Sequence, residues 1–189
     1  MRNMFMTSAI AGSLFLFGSA ATLAQAPAPA GELKVRPSPS AKVSQQVGTT
    51  MVDVEYSSPA VKKRKVWGEL VPEGKLWRTG ANASTKLTFS KDVTIGGKPV
   101  PAGTYALLTI PTPKSWTVII NKDTTLGGNV DKYKQDQDVA RFTVTPKSAP
   151  ARERLTFIFS DVTDDAATLD LEWEKVRVSL PIKTKATSS

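Results

Sequence analysis

The amino-acid sequence predicts an all-β domain, an antiparallel β-sandwich for which the jelly roll is one available form. Short runs rich in Val, Ile, Thr and aromatic residues place apolar side chains at every second position, which is the pattern of a half-buried strand. Turn-forming residues separate these runs at roughly 8–12-residue spacing, as in sandwich domains. No stretch of useful length has the apolar period of an amphipathic helix.

The predicted strands follow one another along the chain. Val52, Val54 and Tyr56 share one face of an early strand. Gly96-Gly97 predicts a two-residue hairpin, because glycine accepts the positive φ values of a primed turn. Further runs with strand character cover residues 87–89, 93–95, 105–110, 116–120, 139–144, 155–159 and 167–182.

The last of these runs changes phase. Its apolar residues occupy odd positions over 167–173 and even positions over 176–182, with no Gly or Asn between them. A bulge or a sheet-switching bend at residues 174–175 explains the slip, because a hairpin would use turn residues there. We therefore expect Trp173 and Val176 both to face the core.

Two groups of acidic residues are candidates for a catalytic or a metal site. Asp170, Glu172 and Glu174 alternate with apolar residues, so we expect them on the solvent face rather than in a paired-carboxylate hydrolase site. The acidic residues at 161–165 lack the spacing of a calcium-binding loop. We predict neither a metal site nor a cofactor.

The N-terminal residues have the pattern of a signal peptide. After Arg2 no charged side chain occurs before Glu32, and the apolar centre spans residues 10–17. Small and polar residues dilute this stretch, which argues against a stable membrane anchor. We expect cleavage after Ala24, which ends a small-x-small box, and delivery to the periplasm or the medium.

The rest of the chain is sufficient for one domain. We assign residues 1–24 to the signal peptide, 25–41 to a Pro-rich linker, 42–183 to the β-sandwich and 184–189 to a flexible tail. A chain of about 150 residues buries roughly 68–70% of its unfolded surface, so the domain needs no disulfide.

The composition excludes several kinds of site. The 189 residues include no Cys and no His, so thiol nucleophiles, Ser-His-Asp triads and imidazole or thiolate metal sites are absent.

The formal net charge is +8, and residues 62–65 form the densest basic run. Because we expect export, this run is a solvated loop or a contact for an anionic envelope polymer, and nucleic acid is not an expected partner.

The segment from Ser57 to Ser84 interrupts the strand pattern, and we predict one long ordered loop. Ordered loops of this length are uncommon and are often functional. The loop contains Trp67, Trp77, Arg78 and Asn82, and aromatic faces beside guanidinium and amide donors suit a sugar ring or a carboxylate. We predict that these four residues bind a ligand. Alternatively, the indoles cap the open end of the sandwich, and the polar side chains bond loop carbonyls.

Seven motifs of this chain carry a resemblance to a known family. They are Tyr56-Ser57-Ser58-Pro59, Val66-Trp67-Gly68-Glu69-Leu70-Val71-Pro72, Gly74-Lys75-Leu76-Trp77-Arg78-Thr79-Gly80-Ala81-Asn82, Val93-Thr94-Ile95-Gly96-Gly97-Lys98, Pro101-Ala102-Gly103-Thr104-Tyr105, Asn121-Lys122-Asp123-Thr124 and Leu171-Glu172-Trp173-Glu174-Lys175. Through them the chain resembles a bacterial family catalogued as domain of unknown function 2911. The resemblance implies an exported bacterial β domain, and it implies no catalytic residues because the family has no established activity.

Three functions fit these observations. The leading hypothesis is an exported, non-catalytic domain that binds a small polar ligand or an envelope glycan. The second is a carboxylate-dependent hydrolase that uses Glu69 or Glu73 as acid or base. The third is a structural or partner-binding envelope protein. An open cleft between Trp67 and Trp77 would favour the first hypothesis, and buried rings would favour the third.

We predict that the exported protein begins at Gln25. N-terminal sequencing of protein recovered outside the cytoplasm measures this directly. A protein that still begins at Met1 would contradict export, whereas one that begins at Pro27 would correct only the cleavage site.

Overall fold

The computed structural model describes residues 35–128 and 130–185. Within these ranges the chain forms ten β-strands and two short 3₁₀ helices but no α-helix, which confirms the all-β prediction. The predicted signal peptide, most of the linker and residues 186–189 of the tail lie outside the described residues. The strands are β1 (Ser40–Val47), β2 (Thr50–Ser57), β3 (Thr85–Phe89), β4 (Val93–Ile95), β5 (Lys98–Val100), β6 (Gly103–Pro111), β7 (Trp116–Asn121), β8 (Asp138–Val144), β9 (Lys147–Ser160) and β10 (Ala166–Thr184).

The strands form two antiparallel sheets. The larger has the order β1-β2-β3-β6-β7-β8, and the smaller has the order β5-β4-β10-β9. In the larger sheet all neighbours are consecutive in the chain except β3 and β6. The β4-β5 hairpin, which lies between them in the chain, forms one edge of the smaller sheet. The sandwich prediction is confirmed, although six plus four strands in this order differ from the eight strands of a jelly roll.

The main core fills the space between the two sheets. Val52 and Val54 on β2 and Leu169 and Leu171 on β10 are at most 2% exposed, as the alternation predicted. A second, smaller apolar cluster lies on the outer face of β6 and β7, where Leu126 covers it from the segment that follows β7. This outer cluster positions part of the loop between β2 and β3.

The predicted hairpin at Gly96-Gly97 joins β4 to β5. Its glycines have φ values of 55° and 77°, which is the backbone of a primed two-residue turn. Gly96 also packs closely against a ring from the other sheet, because a Cβ built there would lie 2.2 Å from Phe142. Glycine is therefore needed at this position for two separate reasons.

The predicted bulge bends β10. Its register with β9 shifts between Glu172 and Glu174 and again between Glu174 and Val176. Glu174 has φ 54°, a left-handed value that costs a residue with a side chain roughly 1–2 kcal/mol. Trp173 is buried and Val176 packs against the same core, which confirms that both face inward across the phase change.

The face of β10 that points away from the core is covered, so the prediction that Asp170 and Glu172 lie on an open solvent face was wrong. Asp170 and Glu172 are each 4% exposed, so they do not lie on an open solvent face. Asp170 accepts hydrogen bonds from two serine hydroxyls. Glu172 accepts one from Nε of Arg152 and one from Nε of Arg177, each at 2.7 Å. The alternation identified the correct face but could not show that long arginine side chains cover it.

Glu172 is held in its ionised form. Burial alone would raise the pKa of its carboxyl group, but hydrogen bonds and charges from Arg177 and Arg152 outweigh burial and lower the pKa. The carboxylate is therefore part of a satisfied structural network.

We predict that Gly96→Ala destabilises the fold more than Gly97→Ala. Both glycines have positive φ, but a Cβ at Gly97 would meet nothing within 4 Å. Backbone strain should lower the free energy of unfolding by about 1 kcal/mol in Gly97→Ala, and the added clash with Phe142 should bring the loss in Gly96→Ala to about 2–4 kcal/mol. Urea denaturation measures both, and equal losses would contradict the close packing.

We also predict that the stabilisation from Glu172 disappears in acid. Its pKa is lower in the folded protein than the ordinary value of 4.5, so the stabilisation is complete above pH 4.5 and is lost as the pH falls below 4.5 through the folded-state pKa. The unfolding free energy of Glu172→Gln should therefore fall less steeply in acid than that of the unchanged protein. Parallel curves across this pH range would contradict the lowered pKa.

Candidate functional site

All four tryptophans of the chain meet at one end of the sandwich. Trp67 and Trp77 come from the loop between β2 and β3, Trp116 begins β7, and Trp173 precedes the bulge in β10. The ring centroid of Trp67 lies 6.0, 5.1 and 5.7 Å from those of the other three, all in edge-to-face contact. Trp77 stacks on Trp173 at 6.1 Å. We call these four side chains the tryptophan cluster.

Backbone hydrogen bonds fix the loop at this end. The Trp77 N–H donates to the Thr109 carbonyl at 2.7 Å, and the Thr109 N–H donates back at 2.9 Å. Trp77 therefore pairs with β6 two residues beyond Leu107, where the pairing between β3 and β6 ends. After Trp67, the Gly68 N–H donates to the Val71 carbonyl at 2.9 Å and closes a turn. The ordered loop predicted from the sequence is confirmed.

A cavity of about 300 Å³ adjoins the cluster beside Trp67 and Trp116. Part of its wall consists of three prolines, Pro111 at the end of β6 and Pro113 and Pro146 in the β6–β7 and β8–β9 turns, and residues beside the bulge in β10 form another part. We call it the tryptophan cavity. Its lining consists of Trp67, Gly68, Val71, Glu73, Pro111, Thr112, Pro113, Trp116, Pro146, Lys147, Ser148, Lys175 and Val176.

Three exposed charged side chains border the tryptophan cavity: Glu73, Lys147 and Lys175. None of them forms an ion pair with any residue in the described ranges. The carboxylate of Glu174 accepts the backbone N–H of Lys175 at 2.7 Å rather than the ammonium group. The charges of the cavity therefore remain available to a ligand.

The indole N–H groups of the cluster are held differently. Those of Trp77 and Trp173 donate to backbone carbonyls, at 3.1 Å and 3.3 Å. That of Trp67 is buried and has no hydrogen-bond partner among residues 35–128 and 130–185. Its edge-to-face neighbours offer only π faces, which are weak acceptors. Trp67 is therefore held by ring packing, and it is the loop tryptophan that borders the cavity.

The structure brings two of the four predicted site residues, Trp67 and Trp77, together in the tryptophan cluster and places Arg78 and Asn82 elsewhere. Trp67 borders the tryptophan cavity, whereas Trp77 is 9% exposed and does not. Their rings touch, so no cleft opens between them, and for this pair the observation favours the structural hypothesis over ligand binding. Asn82 lies outside the cavity and donates to Ser57 Oγ at 3.2 Å. Trp77 and Asn82 thus have the packing expected of a structural cap, and ligand binding by the four residues stays a prediction.

Arg78, the fourth predicted residue, also lies outside the cavity. By alternation it shares a side with Leu76, which packs on the outer cluster. Its Nε is buried without a hydrogen-bond partner in the described part of the chain, and burial lowers its pKa. The other two partly buried arginines, Arg152 and Arg177, both pair with Glu172. The buried part of the Arg78 guanidinium therefore has no compensating carboxylate among the described residues.

Comparison with known proteins supports the resemblance seen in the sequence motifs. A profile of the family described as protein of unknown function DUF2911 matches residues 38–182. The chain belongs to the DUF2911 family. No curated protein and no solved structure matches it. Neither short helix of the described ranges has the length or apolar character needed to cross a membrane.

In this DUF2911 domain, the two candidate acid or base residues of a hydrolase differ in their position relative to the cavity. Glu73 borders the tryptophan cavity, whereas Glu69 forms an ion pair with Lys65 at 3.3 Å on the exposed loop. The cavity lining includes no second Asp or Glu, and most carboxylate glycosidases use two. The described residues also contain no group of three acidic side chains that could hold a metal ion.

Sequence reasoning missed most residues of the cavity. Trp116, Lys147 and Lys175 belong to segments that the pattern describes as strands or turns. The one local signal is the proline content of two turns, at residues 111–113 and at Pro146. That signal marks turns but does not show that both turns lie at the same end of the sandwich.

We predict that Arg78→Met leaves the free energy of unfolding nearly unchanged, because the change removes a buried Nε that has no hydrogen-bond partner among the described residues. The same change at Arg152 removes a donor from buried Glu172 and should lower the free energy by about 1–3 kcal/mol. Urea denaturation compares the two variants. A loss at Arg78 as large as that at Arg152 would show that Arg78 supports the loop.

Proposed function

We propose that the protein is an exported, non-catalytic binding domain that holds a small polar ligand, such as one sugar ring of an envelope glycan, in the tryptophan cavity. The observation that carries this proposal is the cavity itself, about 300 Å³ in volume beside the ring of Trp67. That volume is at the lower end of the range of ligand pockets and suits a ligand of one ring. Export rests on the signal-peptide pattern of residues 1–24.

The lining supplies the contacts that a sugar needs. Trp67 and the prolines offer apolar surface to the ring, and aromatic residues are well suited to ligands with one apolar face. The hydroxyl of Ser148 makes no hydrogen bond within the described residues, and the carboxylate of Glu73 has no ion-pair partner there. These polar groups can bond ligand hydroxyls without breaking existing contacts.

The site is rigid before a ligand arrives. The tryptophan cluster fixes Trp67 from three sides, and the prolines at 111, 113 and 146 restrict the facing turns. Binding to a preorganised site loses little conformational entropy, so modest contacts give measurable affinity. A hydrolase is less well supported, because only one carboxylate borders the cavity.

We predict that Ser148→Phe abolishes sugar binding, because Ser148 borders the cavity and the new ring would fill it. Thr145→Phe is the matched control, since Thr145 is exposed nearby but does not border the cavity. The measurement is the shift of the Trp67 indole N–H signal in nuclear magnetic resonance spectra during titration with glucose, N-acetylglucosamine and glucuronate. Melting temperatures confirm that both variants fold.

Two outcomes would contradict the proposed function. The Trp67 signal could remain unchanged with all three sugars in the unsubstituted protein. Alternatively, Ser148→Phe could bind a sugar as tightly as Thr145→Phe does.

A further inference from the structure

We infer that the ligand of the tryptophan cavity carries a carboxylate that Lys147 and Lys175 bind, so that its chemical class is an acidic sugar, a uronate. The uronate can be free or can be a residue of an acidic polysaccharide. This inference rests on the proposed function, and it adds the charge of the ligand and the residues that select it.

The first observation is the charge of the lining. The cavity is bordered by two lysines and one glutamate, all exposed. Among the exposed lysines of the described residues, only Lys42 and Lys65 form ion pairs, with Asp53 and Glu69, both at 3.3 Å. The two cavity lysines have none among residues 35–128 and 130–185. The cavity therefore carries a net positive charge that its own side chains leave unpaired.

The second observation is the arrangement of cations across the strands. Lys147 on β9 lies directly opposite Arg177 on β10. Like charges in this position destabilise a sheet. Glu172 divides its single negative charge between Arg177 and Arg152, so a positive charge remains on this face, and no carboxylate in the described chain pairs with Lys147. An anion bound at the cavity would offset this repulsion.

The third observation is the bulge that positions Lys175. In an uninterrupted strand, Lys175 would share the inward face with Trp173. The bulge at Glu174, with its left-handed φ of 54°, instead brings Lys175 to the cavity and gives the inward position to Val176. Bulges often redirect side chains beside functional sites, and a left-handed non-glycine residue there is a strain that a binding function would explain.

A uronate matches this distribution of charge and surface. Its ring would lie against Trp67 and its carboxylate between the two lysines, while Glu73 would accept hydrogen bonds from ring hydroxyls. A neutral sugar would leave both lysines unpaired. A cationic amino sugar would be repelled by them.

The test compares three sugars that differ mainly in charge: glucuronate, glucose and glucosamine. We expect the unsubstituted protein to bind glucuronate at least about tenfold more tightly than glucose at low ionic strength, with glucosamine weakest, and added salt to reduce the difference. Isothermal titration calorimetry and the Trp67 indole signal are the readouts. Galacturonate monomer and trimer are compared in the same way, because a tighter trimer indicates a polysaccharide as the source and equal affinities indicate a free sugar.

Substitutions identify the groups responsible. Lys147→Ala with Lys175→Ala should reduce glucuronate affinity to that of glucose. Lys114→Ala is the matched control, because Lys114 is exposed in the β6–β7 turn but does not border the cavity. It should change neither affinity.

Failure of the inference and failure of the proposed function give different results. Equal binding of glucose and glucuronate, with no effect of the lysine substitutions, would overturn the carboxylate inference and leave the binding function intact. Absence of binding by every sugar, with an unchanged Trp67 signal, would overturn both.

Discussion

The mutual packing of four indole rings is the interaction on which the rest of this end of the molecule depends. Trp116 belongs to the six-stranded sheet, Trp173 to the four-stranded sheet, and Trp67 and Trp77 to the loop that crosses between β2 and β3. The cluster therefore joins three separate parts of the chain. Each aromatic pair contributes roughly 0.5–1.5 kcal/mol beyond the burial of its area, so the set can hold a long loop that has few strand hydrogen bonds of its own.

The cluster also explains why a cavity can persist beside it. Large rings fix the loop backbone, and Trp67 is held at the border between core and solvent, where part of its surface faces the cavity. The prolines of two turns form the facing wall without a mobile side chain. A core of small aliphatic residues at this end would leave the loop free to collapse into the space.

Strand β10 carries charge in two contrasting ways on either side of its bulge. Before the bulge, Glu172 is buried and satisfied by Arg152 and Arg177. After the bulge, Lys175 borders a cavity and has no carboxylate partner in the described chain. A satisfied network is the expected state of buried charge in a structural region. The two cavity lysines are exposed, so that rule does not require a partner for them, and they lie at the one site for which we propose a ligand.

Local patterns in the sequence were sufficient to predict the secondary-structure elements of the fold. Alternation identified the strands, Gly96-Gly97 identified a turn by its backbone requirement, and the phase slip after Trp173 identified the bulge. These features depend on neighbouring residues alone. They also gave the correct loop, and within it the one predicted residue, Trp67, that borders the cavity.

The cavity and the burial of Asp170 and Glu172 depend on the order of the strands in the sheets, which local sequence patterns do not show. Period-two alternation assigned Glu172 to the outer face but carried no information on the arginines that cover it. The β6–β7 and β8–β9 turns converge on the bulge only because β6, β7 and β8 are adjacent and β9 pairs with β10. The predicted grouping of the four residues followed proximity in sequence. Trp77 does contact Trp67, but Arg78 and Asn82 do not border the cavity, and Asn82 bonds Ser57 instead.

Native-state hydrogen exchange of Trp173→Leu tests the central role of the tryptophan cluster most directly. Trp173 lies outside the loop, so its effect on loop amides reports on ring packing rather than on loop sequence. The amides of Trp77 and Val71, which donate to the carbonyls of Thr109 and Val66, should lose more protection than amides at the centre of β7. Equal losses at both places, which global destabilisation alone would produce, would contradict the conclusion that the four rings hold the loop and shape the cavity.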